Sequence, residues 1–226
     1  MTVGSLARRL LGDRLFVRAA GLYRAIFVDL DAVVDCLPLF APGTELLDVG
    51  GGDGALLDRV LARNPGTRAT LVDLAPRVGV AIAPERRERV RCLPATRLAA
   101  CRERGVPAPD VVLLSDLLHH VPPAERESLL RDVRAVAGER PLRLVVKDVA
   151  PGGFRSRLSV LADRFVSGDR GVELLTPAAA CELVQRVFPE LLATATSLLD
   201  RDAPNYCLVF AAPSDHGNRT QARTKR

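Results

Sequence analysis

The alternation of short apolar runs with longer helical segments is the feature that most constrains the fold of this chain. From residue 45 onward, runs rich in valine and leucine alternate with stretches of helical periodicity. Parallel strands need crossover connections of this length, so the pattern predicts a parallel sheet with helices on both faces. The predicted strands of this sheet cover residues 45–50, 68–74, 89–95, 109–116 and 141–150.

The helical segments between and after these strands contain polar residues at regular intervals, and several end at glycine or proline. Pro123 lies in the first turn of one of them, where its missing N–H costs nothing. The predicted helices cover 55–65, a stretch from the second strand through 87, 97–105, 122–138, and a long region that ends near 188.

Two further apolar runs, 191–200 and 205–213, close the body of the chain. Only a few residues, "RDAP", separate them, which is too short for a helical crossover. They are expected to pair antiparallel, as a hairpin at one end of the sheet. The predicted fold is therefore α/β: a doubly wound, mostly parallel seven-stranded sheet with a C-terminal antiparallel hairpin.

A glycine-rich loop follows the first predicted strand in the segment "ELLDVGGGDG", residues 45–54. In open α/β sheets, ligands bind beyond the carboxyl ends of the strands, and glycines let a ligand approach the backbone closely. Asp73 stands at the end of the second predicted strand, where an acid accepts hydrogen bonds from ribose hydroxyls. Together the loop and this acid indicate a cofactor that contains adenosine.

The loop alone leaves two cofactor classes open, because Gly50, Gly52 and Ala55 also satisfy the fingerprint of nicotinamide-dependent oxidoreductases. Asp48 argues against that class, since an acid at the strand end would repel a pyrophosphate. The spacing of Gly50, Gly52 and Gly54 and the terminal hairpin point the same way. An NAD(P)-dependent oxidoreductase is kept as the alternative.

The chain resembles the class I S-adenosylmethionine-dependent methyltransferases over roughly residues 44–212. The motifs that carry the resemblance are "LLDVGGGDG", the acid in "LVDL", "DVVLLSDLLHHVPP" and the terminal hairpin. The resemblance implies S-adenosylmethionine as cofactor, with roles for residues in four loops. Its methionine part would be held by Asp48, Gly50, Gly52, Gly54 and Ser115, its ribose by Asp73, and its adenine by Leu74 and by either the Ala95 backbone or the Thr96 hydroxyl.

The sequence lacks three motifs that are each typical of a particular class of methyl acceptor. No Pro-Pro-aromatic run follows Ser115, no Pro-Cys dipeptide occurs, and no helical pair of acids for metal-dependent catechol chemistry is visible. A small-molecule acceptor in secondary metabolism remains, and no metal is expected. His119 and His120 are the candidates for a catalytic base, since histidine titrates near neutral pH. The alternative is that they only brace the cofactor pocket.

Residues outside the sheet supply the expected acceptor contacts. Residues 1–43 are interpreted as an N-terminal helical lid that includes Tyr23, residues 44–213 as the methyltransferase domain, and 214–226 as a disordered basic tail. Arg157 and Arg164 lie where the family places its substrate-recognition segment, and they could bind an anionic acceptor.

Charge and cysteine content limit the partners and the location. The net charge of +5 comes from the two termini, while the body between them is slightly acidic. A nucleic-acid methyltransferase is therefore an unlikely alternative, and no apolar stretch approaches the length of a membrane span. Five scattered cysteines without a paired motif indicate a reducing cytoplasm. A homodimer is left open.

Overall fold

The chain forms a seven-stranded sheet covered by helices on both faces, as seen in a computed structural model. The structure describes residues 30–140, 142–152, 172–198 and 205–213. Tyr23, Arg157, Arg164, most of the predicted lid and the basic tail lie outside these ranges, so the predictions for them stand untested. Within the described residues, no helix has both the length and the apolar character that a membrane crossing requires.

The strands and helices agree with the predicted alternation to within a few residues at most boundaries. The strands are β1 (Glu45–Val49), β2 (Arg68–Val72), β3 (Val90–Leu93), β4 (Val111–Ser115), β5 (Arg143–Val149), β6 (Leu192–Leu198) and β7 (Asn205–Ala211). The helices are α1 (Leu30–Cys36), α2 (Ala55–Arg63), α3 (Pro84–Arg87), α4 (Pro123–Ala137) and α5 (Pro177–Val187), with 3₁₀ turns at Leu98–Ala100 and Leu118–His120.

The strand order is β3-β2-β1-β4-β5-β7-β6. The first five strands are mutually parallel, and β7 pairs antiparallel with both β5 and β6. The predicted fold class and terminal hairpin are thus confirmed. Because the chain leaves β1 in one direction to reach β2 and β3 and in the other to reach β4, the order reverses between β1 and β4. The crevice in which such sheets bind ligands is expected there, beyond the carboxyl ends of the strands.

Two apolar clusters cover the two faces of the sheet. One joins the strands to α4 and α5 through residues such as Leu130 and Leu183, and the other joins them to α1 and α2 through residues such as Val34 and Leu57. Helix α1 therefore belongs to the layer that covers the sheet, and the ion pair between Arg63 and Asp35 holds it against α2.

Two helix predictions were wrong. Between β2 and α3 the chain is irregular, because its N–H groups bond to the glycine loop instead of to its own preceding turn. Gly79 donates to the Gly52 carbonyl at 3.0 Å, and Ala81 donates to the Asp53 carbonyl at 2.9 Å. The segment 97–105 contains only the short 3₁₀ turn, followed by turns that end at Gly105.

Candidate functional site

The glycine loop lies at the carboxyl end of β1 and leads directly into α2. Its path is fixed by backbone hydrogen bonds: Gly50 donates to the Val72 carbonyl of the neighbouring strand at 2.8 Å, and Gly54 donates to Gly51 at 2.9 Å. Helix α2 begins immediately afterwards at Ala55. The first N–H groups of a helix have no partner within it, so this helix start favours a polar or negative group.

The glycines of the loop are required for different reasons. A Cβ at Gly50 would lie 2.7 Å from Leu117, and one at Gly54 would lie 2.8 Å from Ile82, so both positions are closed by protein packing. A Cβ at Gly52 would meet nothing within 4 Å, although the backbone there has a φ of +54°. Among the three, Gly52 therefore borders the open space that a ligand could enter.

Asp73 follows β2 directly and faces the same loop. Its carboxylate accepts hydrogen bonds from the Gly52 N–H at 2.9 Å and from the Ala75 N–H at 2.7 Å. Each carboxylate oxygen has a second lone pair, so both remain able to accept from a ligand hydroxyl. Asp73 thus fixes the position of Gly52 and presents an anion beside the open space.

Asp48 lies beneath the loop and is only 2% exposed. A Cβ on Gly51 would come within 2.2 Å of its Oδ2 atom, so the loop backbone passes directly over this carboxyl group. Burial, with added repulsion from Asp73 and Asp53, raises the pKa of Asp48 to about 7. A cationic ligand in the crevice would favour the ionised form.

The residues expected to contact adenine differ in how available they are to a ligand. Leu74 is 69% exposed, so its side chain is available to pack against a ring. The Ala95 N–H donates to the Ala75 carbonyl at 2.9 Å, and the buried Thr96 hydroxyl donates to the Pro94 carbonyl at 2.8 Å. Both nominated groups are thus already engaged in local hydrogen bonds.

Ser115 ends β4 on the other side of the crevice, and the next residue, Asp116, has a left-handed φ of +51°. The Asp116 carboxylate receives hydrogen bonds from Lys147 Nζ at 2.5 and 2.7 Å. Lys147 lies on β5 opposite Ser115, and its side chain is completely buried. The crevice wall therefore contains an ion pair with one buried and one partly exposed member.

His119 belongs to the 3₁₀ turn after β4 and is 3% exposed. Its Nδ1 atom bonds to the carboxylate of Asp148, which lies at the end of β5 and is completely buried. The same carboxylate also accepts from the backbone N–H of His119 at 3.2 Å and of Val149 at 2.7 Å. His120 is half-buried, with its ring centroid 4.1 Å from that of His119.

Comparison with known proteins finds a family match around the glycine loop. Residues 47–140 match the family described as "Methyltransferase domain". This match begins in β1 and covers the glycine loop, Asp73, β4 and the histidine pair. Residues 47–140 are thus similar to a methyltransferase domain.

Solved structures with the same fold span the rest of the described chain. The N,N-8-amino-8-demethyl-D-riboflavin dimethyltransferase RosA from Streptomyces davawensis has a TM-score of 0.66 at 21% identity, covering 94% of this chain and 62% of its own. CalO1, a methyltransferase in calicheamicin biosynthesis, was solved in an SAH-bound form. Its TM-score is 0.63 at 22% identity, and the match covers 92% of this chain and 60% of CalO1.

NcsB1, an O-methyltransferase from neocarzinostatin biosynthesis, was solved with S-adenosylmethionine and 2-hydroxy-5-methyl naphthoic acid. Its TM-score is 0.60 at 18% identity, and the match covers 91% of this chain and 60% of NcsB1. The chain thus spans about 60% of the length of these structures. At these identities the likeness shows the fold.

Several residues around the histidine turn and its adjoining strands were not anticipated from the sequence. Arg126, on α4, is 5% exposed and donates to the carbonyl groups of Leu118 and Val121, which flank the histidine pair, at 3.0 and 2.9 Å. It also donates to the Glu173 carbonyl at 2.7 Å, and the Glu173 N–H donates to the His119 carbonyl at 3.0 Å. Arg126 therefore holds the histidine turn in place.

Tyr206 lies opposite Asp148 in the pairing of β5 with β7 and is completely buried. Its hydroxyl has no hydrogen-bond partner among the described residues. Burial, and then the neighbouring Asp148 carboxylate, raise the pKa of this phenol well above its usual range. Tyr206 consequently stays neutral and shields Asp148 from water.

Asp116, His119 and Asp148 offer ligand atoms that lie within 4.8 Å of one another, which is close enough to hold a metal ion. Lys147 already bonds both Asp116 oxygens, and its ammonium group would repel a cation at this position. A site without metal remains the prediction for this chain, and the repulsion between Lys147 and a cation favours it.

Proposed function

We propose that this protein transfers the methyl group of S-adenosylmethionine to a small-molecule acceptor in secondary metabolism. The observation that carries this proposal is the open space at Gly52, bordered by the Asp73 carboxylate and underlain by Asp48. The family match and the names of the structural neighbours support the same reading.

The donor set fits a nucleoside that carries a positive charge. The Asp73 oxygens would accept from the ribose hydroxyls, Leu74 would pack on the adenine, and the backbone at Gly50, Gly52 and Gly54 with Ser115 would border the methionine part. The ionised Asp48 would attract its ammonium group. When bound, S-adenosylmethionine supplies a methyl group on a cationic sulfur, which leaves with the electron pair of the broken C–S bond.

The residues of this chain would orient the acceptor and remove its proton. In this proposal His119 is the base, and Asp148 holds the proton on Nδ1, so that Nε2 carries the lone pair. On methyl transfer, the proton of the acceptor atom would pass to Nε2 of His119. Asp148 then stabilises the imidazolium ion that forms.

The proposal is tested by titration calorimetry with S-adenosylhomocysteine (SAH) and with NADH. We expect SAH to bind and NADH not to bind, because Asp48 disfavours a pyrophosphate. Transfer of labelled methyl groups into extracts that contain small metabolites would then identify the acceptor. Binding of NADH without binding of SAH would replace this function with the oxidoreductase alternative.

A substitution in the loop locates the cofactor site directly. Gly52→Ala places a methyl group in the open space and should weaken SAH binding at least about tenfold by obstructing the ligand. Gly105→Ala is the matched control, because Gly105 has a φ of +67° and likewise no neighbour within 4 Å of a Cβ. Both variants carry a similar backbone strain of about 1–3 kcal/mol, so equal SAH affinities would place the cofactor elsewhere.

A further inference from the structure

The ion pair between Asp116 and Lys147 has no role in the function proposed above, yet it lies in the wall of the same crevice. Lys147 is buried in β5, and the described hydrogen bonds of its ammonium group both go to Asp116. An unpaired buried ammonium is very costly, so Lys147 requires Asp116 to be ionised and fixed in place.

Asp116 is the most exposed member of this group. Its side chain is 37% exposed, whereas Lys147 and Asp148 are fully buried and His119 is 4% exposed at the side chain. One of its oxygens lies within 4.8 Å of ligand atoms of both His119 and Asp148. An acceptor that lies beside His119 would therefore be within reach of the Asp116 carboxylate.

The Asp116 carboxylate has capacity for a further hydrogen bond. An ionised carboxylate offers about four acceptor positions, and Lys147 takes one on each oxygen. The Ser115 hydroxyl lies 3.4 Å from Oδ2, which is a long and weak contact. The positive φ of Asp116 is uncommon outside glycine and orients this carboxylate at the end of β4.

We infer that Asp116 determines acceptor specificity by accepting a hydrogen bond from a donor group next to the methylated atom. This inference rests on the proposed function and on His119 as its base. The acceptor class that fits is a compound with adjacent hydroxyl groups, or with an amine adjacent to a hydroxyl group. A carboxylate at the same position of the acceptor would be repelled by Asp116 and by the nearby Asp148.

Four small phenols form the test, since they differ only in the group beside the reacting hydroxyl. Catechol and 2-aminophenol carry a donor there, phenol carries none, and 2-hydroxybenzoate carries an anion. Binding to the SAH complex and initial rates of labelled methyl transfer would be measured for each. We expect the parent protein to favour the two donor compounds over phenol by about 10–100-fold, the range of a hydrogen bond to a charged group, and to disfavour 2-hydroxybenzoate.

Two variants separate the effect of Asp116 on acceptor preference from the effect of Lys147. Lys147→Met keeps the Asp116 carboxylate, which water can solvate, and should retain the preference for donor compounds. The double variant Asp116→Ala with Lys147→Met leaves no unpaired buried charge and should lose that preference. Thermal melting and SAH calorimetry on both variants establish that they fold and bind the cofactor product.

The inference is overturned if the parent shows no preference for donor compounds, if 2-hydroxybenzoate is its best acceptor, or if the double variant keeps the parent's preference. Loss of the preference in Lys147→Met alone would assign specificity to Lys147 and also overturn it. Failure of the parent to bind SAH is a different result, because it contradicts the proposed function itself.

Discussion

Asp48 is a residue at which stability and function oppose each other. Its pKa rises from 3.8 to about 7 on folding, because burial penalises the charge. The neutral form is therefore favoured in the folded state, and this stabilisation is complete below pH 3.8 and is lost as the pH rises to about 7. At 1.36 kcal/mol per pKa unit the loss is about 4 kcal/mol.

We therefore expect Asp48→Asn to be more stable than the parent at pH 8 and about equally stable near pH 4, because asparagine never ionises. Chemical denaturation at the two pH values measures this difference. The same variant should bind SAH more weakly at pH 8, since the ammonium group of the ligand loses an anionic partner. An asparagine variant that is less stable than the parent at pH 8 would contradict the burial argument.

The two adjacent histidines are expected to differ in function because Nδ1 of His119 bonds to the buried Asp148 carboxylate and would make His119 the base. His119→Gln should lower kcat by about 10²–10⁴-fold, the usual contribution of a general base, while SAH affinity stays near that of the parent. His120→Gln is the control, and its kcat should change by less than about tenfold. Equal losses in the two variants, or a larger loss at His120, would contradict the assignment.

The sequence predicted the cofactor loop better than the reacting end of the crevice. One motif contains Asp48 and the glycines, and Asp73 follows the neighbouring strand β2. Their proximity therefore follows from strand order alone. The partner of His119 lies 29 residues away and becomes a neighbour only through the pairing of β4 with β5. A signal was present in the run "LVVKDVA", where two charged residues interrupt a buried strand.

At the level of secondary structure, α4 and the segment after β2 show how far local patterns determine local structure. Helix α4 has an apolar face and Pro123 at its first turn, and it forms within one residue of its predicted ends. The segment after β2 contains Pro76, Gly79 and Pro84, which weaken a helix. Tertiary hydrogen bonds to the glycine loop then determine its course, and no local pattern predicts them.

Arg126 gives α4 a second role beyond covering the sheet, because it bonds to backbone carbonyls before, after and across from the histidine turn. We expect Arg126→Met to lower the free energy of unfolding by about 3 kcal/mol, since these buried carbonyls lose a charged donor. Denaturant titration measures this change.

Arg131→Met is the matched control on the same helix, because the Arg131 side chain is 66% exposed. A surface substitution of this kind should change stability by no more than about 0.5 kcal/mol. If both variants lose the same free energy, Arg126 has no special role in holding the histidine turn.

For the whole molecule, the strand order places the two halves of the site at the carboxyl ends of adjacent strands. The residues expected to hold the cofactor lie at β1 and β2, and the proposed reacting groups lie at β4 and β5. A ligand that contacts both halves should stabilise the entire sheet. At about 100 times its Kd, SAH should add about 2.7 kcal/mol, which raises Tm by roughly 5–10 °C for a chain of this size. Differential scanning fluorimetry would measure the shift, and its absence at saturating SAH would argue against binding to the native state.

The alternation of strands and helices predicted the parallel part of the sheet, but it left the position of β7 undetermined. A short connection implies a hairpin, yet either strand of the hairpin could lie next to β5. The composition of the two strands agrees with the observed order, because β7 reads NYCLVFA, whereas β6 reads LATATSL and contains three residues with hydroxyl groups. The more apolar strand takes the inner position.

The inner position of β7 also determines the order in which the site can be completed during synthesis. The ribosome produces β6 before β7, but β6 has no neighbour in the sheet until β7 has paired with β5. A nascent chain can therefore assemble β1 to β5, including the glycine loop and Asp73, while Asp148 still lies on an unpaired edge strand. Only when residue 206 emerges does a tyrosine cover that carboxylate. Among the described strands, the pairing of β7 with β5 is thus the step that covers the part of the site assigned to proton removal.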